Sequence, residues 1–461
     1  MRTLGWTAAA VAALGLSACS LGPAYRRPSI PPPAAWRTST PGASAAWPSA
    51  DWWRGFHSAE LTRLIAAGQS ANDDLAAAIA RVREADAQVD VSSAPLLPSL
   101  DGVGSGSRQR TFNPGTGTGL LYNDFAAGLN AAYELDFWGE NRALRSAALA
   151  AAAASRYDRQ TVELTVMSGI ADTYFSVLAL RDRVRIARAN LASATETLQG
   201  LKTDEQVGIS TALDVAQQDT VVAGIAATIP PLEEQERQQL DALAILVGQT
   251  PESLRVAASG LAGVSAPAVG AGVPSQLLTR RPDVASAEAQ LIAANADIRA
   301  ARAAFLPTVE LTASGGDESA ALSRLLEPGS RVFAVSAGVT QPIFHGGAIL
   351  GQYRLSKARY QELLADYHKA VISAFGNTED SLAGVSDTGE QLRREQIAAA
   401  KARSAYEMSQ QQFHAGTVNI LTVLGTETSL FSAEDALAQA QLAHLQALVG
   451  LFNALGGGWK E

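Results

Sequence analysis

The chain has 461 residues, 47% of them apolar and 6% aromatic, enough apolar material to bury a core. Its 45 acidic against 36 basic residues leave a net charge of −9, which argues against a nucleic-acid partner. The five histidines (His57, His345, His368, His414, His444) have no metal-ligand spacing with one another or with the cysteine, and no nucleophile elbow, Walker motif or dinucleotide fingerprint is present. No enzyme, cofactor or metal site is therefore expected.

Residues 1–18 have the form of an export signal, with Arg2, an apolar run from Ala8 to Leu16, and small residues before Cys19. The stretch is too short to span a bilayer. Leu16-Ser17-Ala18-Cys19 resembles the lipobox of bacterial lipoproteins, which implies lipidation of Cys19, and Ser20 after it resembles an outer-membrane sorting signal. Residues 19–50 then form a Pro-rich tether that includes Pro31-Pro32-Pro33 and runs extended.

Trp52, Trp53 and Phe56 precede a helix over about Leu61–Ala67, and a second helix over about Asp73–Val91 ends before Pro95 and Pro98. Strands are expected at about 99–111 and 122–136, where Phe125, Ala127, Leu129, Ala131, Tyr133 and Leu135 alternate with smaller or polar residues. Their connection, Phe112 to Gly119, is glycine-rich, yet neither a lysine nor a helix start follows, so a phosphate loop is disfavoured. No further segment reaches the roughly 18–20 apolar residues of a transmembrane helix, so any spanning part must be β.

From Glu140 to Ile229 there is no proline. Ile170, Val177, Val184, Leu191 and Leu198 recur every seven residues, with Thr173, Leu180, Ala187, Ala194 and Leu201 three further on, a coiled-coil seam. A helix over Glu140–Gln206 would hold 67 residues and measure about 100 Å, long enough to reach across a compartment. Gly208 turns the chain back, the tip lying at 207–211, and Pro230-Pro231 are expected to break the return helix before Leu232–Val247.

After a linker over 261–280, the plan repeats at an offset of 207 to 209 residues. Arg281-Pro282-Asp283-Val284 stands where Asn72-Asp73-Asp74-Leu75 stood, Phe344-His345-Gly346 matches Phe137-Trp138-Gly139, and Leu455-Gly456 matches Val247-Gly248. Strands are expected at about 307–316 (Val309, Leu311, Ala313) and 331–341 (Phe333, Val335, Ala337, Val339). A helical hairpin follows over about 346–455 with its tip at 414–418, its seam running through Thr378, Val385, Leu392, Ala399, Tyr406 and Phe413. The repeats are thus 51–260 and 281–461, a duplicated half-domain rather than a short-period solenoid.

Four strands cannot close a barrel, and an open edge in hydrocarbon leaves backbone groups unsatisfied. Spanning strands therefore require oligomerisation, as a dimer of eight or a trimer of twelve. Asp73/Asp74 and Glu233/Glu234 fit helix-start and solvated-face charges better than an acid/base pair. His414, beside the second tip glycine, is a titratable group at that turn.

The lipobox, the duplicated plan, Gly22-Pro23-Ala24-Tyr25-Arg26-Arg27-Pro28, Arg280-Arg281-Pro282-Asp283-Val284 and Gly456-Gly457-Gly458-Trp459 together resemble the outer membrane efflux protein family, in its TolC-like, NodT-type lipoprotein branch. The resemblance implies a mainly α chain with a membrane β-barrel part: a homotrimer with a twelve-stranded β-barrel, an α-barrel of long antiparallel helices, and a large periplasmic part. It implies an outer-membrane exit channel in a tripartite pump, docked to a periplasmic adaptor (membrane fusion protein) and an inner-membrane transporter that supplies the energy. Matched to the family's tips, Val207, Gly208, Ile209 and Ser210, and Ala415, Gly416, Thr417 and Val418, face the adaptor. The periplasmic gate falls at Leu421, Thr422 and Gly425, with Asp214 as a neighbouring charge; Thr422 and Gly425 stand where relatives commonly carry aspartate. Two rivals remain to be separated. A lipid-anchored coiled-coil spacer or adaptor without a pore would not need lipid-facing alternation, and a periplasmic hydrolase would need the catalytic constellation that is absent.

Overall fold

The computed structural model describes residues 24–38, 47–115, 117–270 and 272–459. The export signal and Cys19 lie outside these residues. In chain order the helices are α1 (Ala59–Ala71), α2 (Asp73–Ser93), α3 (Glu140–Gln206), α4 (Ala212–Leu246), α5 (Pro282–Ala303), α6 (Ala348–His414) and α7 (Ile420–Ala454), with a single turn at Pro274–Leu277. The strands are β1 (Ser99–Asn113), β2 (Thr118–Glu134), β3 (Thr308–Ser319) and β4 (Arg331–Thr340). Both α3 and α6 hold 67 residues, and both α4 and α7 hold 35, so the duplication is kept in element lengths.

The chain divides into two compact units. The described residues of 24–29, 81–156 and 286–368 form one. Its centre is a single antiparallel sheet in the order β1-β2-β3-β4. Register is continuous: Leu100 faces Ala131, Ala131 faces Ala313, and Ala313 faces Val335. Asp136 starts α3 by accepting hydrogen bonds from the amides of Asn141 and Arg142 and from Arg142 Nε at 3.0–3.1 Å. Such a carboxylate satisfies donors that a helix start leaves free.

The described residues of 30–80, 157–285 and 369–459 form the second unit. Its core joins Phe56, Tyr174, Phe175 and Phe452, with Trp52 stacked on Phe452 at 4.9 Å between centroids. The seam of α3 is buried here, with Ile170, Val177, Val184, Ala187, Ala194 and Leu201 all under 7% exposed. Where α7 ends, Arg281 Nη1 donates to the Ala454 carbonyl at 3.0 Å. The first repeat makes the same junction: Asn72 Nδ2 donates to the Leu246 carbonyl at 2.9 Å. Backbones pass so closely that a Cβ at Gly456 would lie 1.9 Å from the Arg280 carbonyl oxygen, and one at Gly248 would lie 2.1 Å from that of Ala71. Both glycines also have positive φ, so no side chain fits either conformation or space.

The break expected at Pro230-Pro231 does not occur, because α4 continues through both prolines to Leu246. Ile229 and Leu232, on either side, pack against Leu180, Val184 and Ala187 of α3. Tertiary burial of those side chains outweighs the local cost of two missing amide donors. Among the described residues no helix is long and apolar enough to cross a membrane.

Candidate functional site

Three regions stand out: the helical tips, a buried polar node shared by the four long helices, and the two faces of the sheet.

Each tip is a Schellman turn. Gly208 N donates to the Glu205 carbonyl and Ile209 N to that of Asp204, at 3.0 and 2.8 Å. Gly416 N and Thr417 N repeat this with Phe413 and Gln412, both at 2.9 Å. Gly208 and Gly416 supply the left-handed residue, with φ of 80° and 71°. Val207 and Ile209 are 68% and 76% exposed, so the first tip displays apolar side chains to solvent. Ala415, Gly416 and Thr417 are exposed, and Ser210 and Val418 half-buried. His414 is exposed at the last position of α6.

The return helices begin with matched caps. Thr211 and Asp214 form a capping box, Thr211 N and Oγ1 donating to the Asp214 carboxylate at 2.8 and 2.7 Å. Those hydrogen bonds, side chain first and then backbone, hold the Asp214 carboxyl below the usual carboxylate range. In the second repeat Asn419 Oδ1 accepts from Thr422 N and Oγ1 at 3.2 and 3.1 Å. Thr422 thus occupies the position in α7 that Asp214 occupies in α4. Leu421 is 53% exposed beside it, and Gly425 is exposed one turn on.

Beyond the tips, each of the four long helices contributes to one node. Ser193 Oγ of α3 lies 2.9 Å from Tyr406 OH of α6, and Tyr406 OH donates to Glu427 Oε1 of α7 at 3.2 Å. Gln218 Nε2 of α4 donates to Glu427 Oε2 at 3.3 Å and to the Ala194 carbonyl at 2.8 Å. Glu427 is 3% exposed and Gln218 fully buried. Burial pushes the Glu427 carboxyl up, while hydrogen bonds from Gln218 and Tyr406 pull it back. Sequence reasoning missed this node. Its signal was present, for Glu427 interrupts the helical spacing of Val423, Leu424 and Leu430 with an acid.

The sheet has two unlike faces. Pairing puts Val309 with Val339, Tyr133 with Leu311 and Ala337, Leu100 with Ala131, Ala313 and Val335, Leu129 with Phe333, and Phe125 beside Gly106 on one face. Leu129, Phe333, Val335 and Val339 are 55–86% exposed. Across all four strands this apolar band runs from Val309 to Leu129, about 20 Å of strand, and on β1 and β2 it continues to Phe125, about 34 Å in all or ~26 Å of depth at a tilt of about 40°; on β3 and β4 the same face carries Asp317 opposite Arg331 in the row between Leu129 and Phe125. The opposite face carries Asp101, Asp124, Glu134, Glu310 and Glu318 among serines, threonines and asparagine, with Val103, Leu120, Tyr122 and Val332 interspersed and no basic residue among the described strand positions. Glu134 and Glu310 stand directly opposite each other.

A protein-family model described as outer membrane efflux protein matches residues 64–249 and again 273–457. The chain belongs to the outer membrane efflux protein family. It is 41% identical over 460 residues to the pyoverdine export outer membrane protein OpmQ of Pseudomonas aeruginosa, covering 98% of this chain and 96% of that one. It is 38% identical over 455 residues to OpmQ of Pseudomonas putida, covering 97% and 96%. Among solved structures, the outer-membrane channel OprN superposes with a TM-score of 0.90 at 28% identity, covering 96% of this chain and all of OprN. The two family matches begin 209 residues apart, the period of the internal repeat.

Membership decides between the readings of the sequence. The chain is the outer-membrane exit channel of an efflux pump with a large periplasmic part. It is a passive conduit rather than an enzyme, and the poreless spacer and the hydrolase are set aside. The mainly helical, doubled architecture with four strands is the family's own.

Proposed function

We propose that three copies of this chain close their four-stranded sheets into a twelve-stranded barrel and their long helices into an α-barrel, forming the exit duct of a tripartite pump. The observation that carries this is the exposed apolar face of a sheet whose outer strands β1 and β4 each keep an unpaired edge. Pairing β4 of one copy with β1 of the next removes those edges, as a membrane requires. A lipid on Cys19 adds a second attachment to the outer membrane.

Val207, Gly208, Ile209 and Ser210, with Ala415, Gly416, Thr417 and Val418, are the turns that meet a periplasmic adaptor, which in turn connects to an inner-membrane transporter. The exposed Val207 and Ile209 give that contact apolar area. Leu421 narrows the closed mouth, with Thr422 and Gly425 beside it and Asp214 of the first tip as a neighbouring charge. Opening moves the tips apart between two packed arrangements, biased by contacts the adaptor makes only with the open one. The cargo we assign, by likeness to OpmQ, is a pyoverdine-type compound. Photo-crosslinkers at Val207 and Ala415 should capture the cognate adaptor in cells, whereas one at the exposed Ile372 should not. Equal capture at all three positions would contradict the assignment of the tips.

A further inference from the structure

The outer end of the β1–β2 hairpin carries a pair of cations that the conduit reading leaves unused. We propose that Arg108 and Arg110 form a binding site for the phosphate groups of an anionic lipid in the outward-facing leaflet. The inference rests on the membrane-spanning reading of the sheet, apolar face outward.

Register places both arginines on the apolar face, not the acidic one. Along β1 that face runs Leu100, Gly102, Gly104, Gly106, Arg108, Arg110, Phe112. Phe125 lies over Gly106, since a Cβ there would sit 3.2 Å from the ring. A single aromatic at this row fits the edge of the hydrocarbon, where membrane barrels carry aromatic girdles. The next two rows outward pair Arg108 with Asn123 and Arg110 with Leu121. α2 leads into β1 and β2 leads out to α3 at the other end of these strands, so the β1–β2 turn lies at the end of the sheet away from both helix junctions.

The side-chain direction agrees. A Cβ at Gly119, one row nearer the turn, would fall 2.6 Å from Arg110 Nε. Arg110 therefore bends along the sheet toward the turn, away from the apolar band, as a cation does when its stem lies on apolar surface and its head seeks the headgroup layer. Phe112, 66% exposed in the row beyond, and Leu121, 53% exposed, flank it. Two cations framed by apolar side chains suit a ligand with charged and acyl parts.

Neither arginine has an acidic partner among the described residues, and neither faces one across the strand. The second hairpin differs, because its one arginine on this face, Arg331, stands directly opposite Asp317. A net charge of −9 makes an uncompensated basic pair on the outer face the more specific. Two residues apart on one strand, the guanidinium groups start about 7 Å apart. Each presents a planar fork that matches phosphate in a bidentate way.

The test uses the full-length channel in bilayer discs of phosphatidylcholine, alone or mixed with bisphosphoryl lipid A or its dephosphorylated form. Lipid retained after transfer to non-ionic detergent is counted by native mass spectrometry, and single-channel conductance is recorded in parallel. The wild-type protein should keep the phosphorylated lipid in preference to the dephosphorylated one. R108Q/R110Q should retain it about tenfold less, while R108K/R110K, which keeps the charge without the fork, should fall between. Conductance should not change in either variant. Equal retention of both lipid forms by the wild type, or of the phosphorylated lipid by wild type and R108Q/R110Q, overturns the proposal and leaves the channel reading intact if conductance persists. Displacement of the lipid by inorganic phosphate at equal concentration also overturns it, by assigning the pair to a free anion. Loss of conductance in R108Q/R110Q contradicts the placement of these residues at the lipid surface.

Discussion

Replacing Leu129 or Val335 with arginine puts a charge in the central rows of the apolar band, where both native side chains are exposed, 55% and 78%. Row counting places them near mid-depth. Leu129 is two rows from Phe125, and Val335 two rows from Val339. An arginine at the midplane of a membrane barrel costs about 2–4 kcal/mol per site, falling toward zero at the interfaces. If three copies assemble, each substitution is repeated three times, so a total of ~6–12 kcal/mol opposes insertion. The control is the adjacent residue of the same strand, since successive side chains alternate faces. Asn130→Arg and Ser336→Arg should insert almost as the wild-type protein does. Urea-driven folding into short-chain bilayers, read by the heat-resistant fraction on gels, measures this contrast. Equal insertion of Leu129→Arg and Asn130→Arg would refute the assignment of faces.

Three further outcomes follow from the geometry. Asp172 has a buried Oδ1 without a partner, and burial pushes its carboxyl up from 3.8 to about 7. A raised folded value means its stabilisation is complete below pH ~4 and lost as pH rises through about 7, a cost of up to ~4 kcal/mol on ionisation; Asp172→Asn should flatten the melting profile between those limits, and an unchanged profile would count against the burial. Gly456→Ala meets the Arg280 carbonyl oxygen and forces a side chain to a φ of 81°. It should destabilise the second unit by about 2–4 kcal/mol in chemical denaturation, and a loss under ~1 kcal/mol would show that this crossing can relax. Glu134→Gln with Glu310→Gln removes a facing carboxylate pair from the acidic face, and should lower cation preference in reversal-potential measurements at unequal salt; an unmoved reversal potential would show that these residues do not line the pore.

The backbone plan was readable because its signals are local and occur twice. Gly208 and Gly416 are needed for left-handed residues, and alternation of Phe125, Leu129 and Tyr133 in one repeat and of Phe333, Val335 and Val339 in the other marks a face whatever lies beyond it. Pro230-Pro231 misled because their penalty is local, whereas the gain from packing Ile229 and Leu232 on α3 is tertiary. The node at Glu427 needs one residue from each of four helices, up to 234 positions apart, so no window of sequence contains it. Asp214 shows a subtler limit. Its acid three residues after Thr211 is a capping signature, yet family resemblance drew attention to its charge and not to the hydrogen bonds that engage it.

Single-channel recording of the purified protein in a planar bilayer tests the central claim most directly. The account predicts discrete, cation-preferring conductance steps, small while the mouth is closed and larger when the adaptor is added. A protein that inserts, assembles and binds adaptor but never conducts would contradict it.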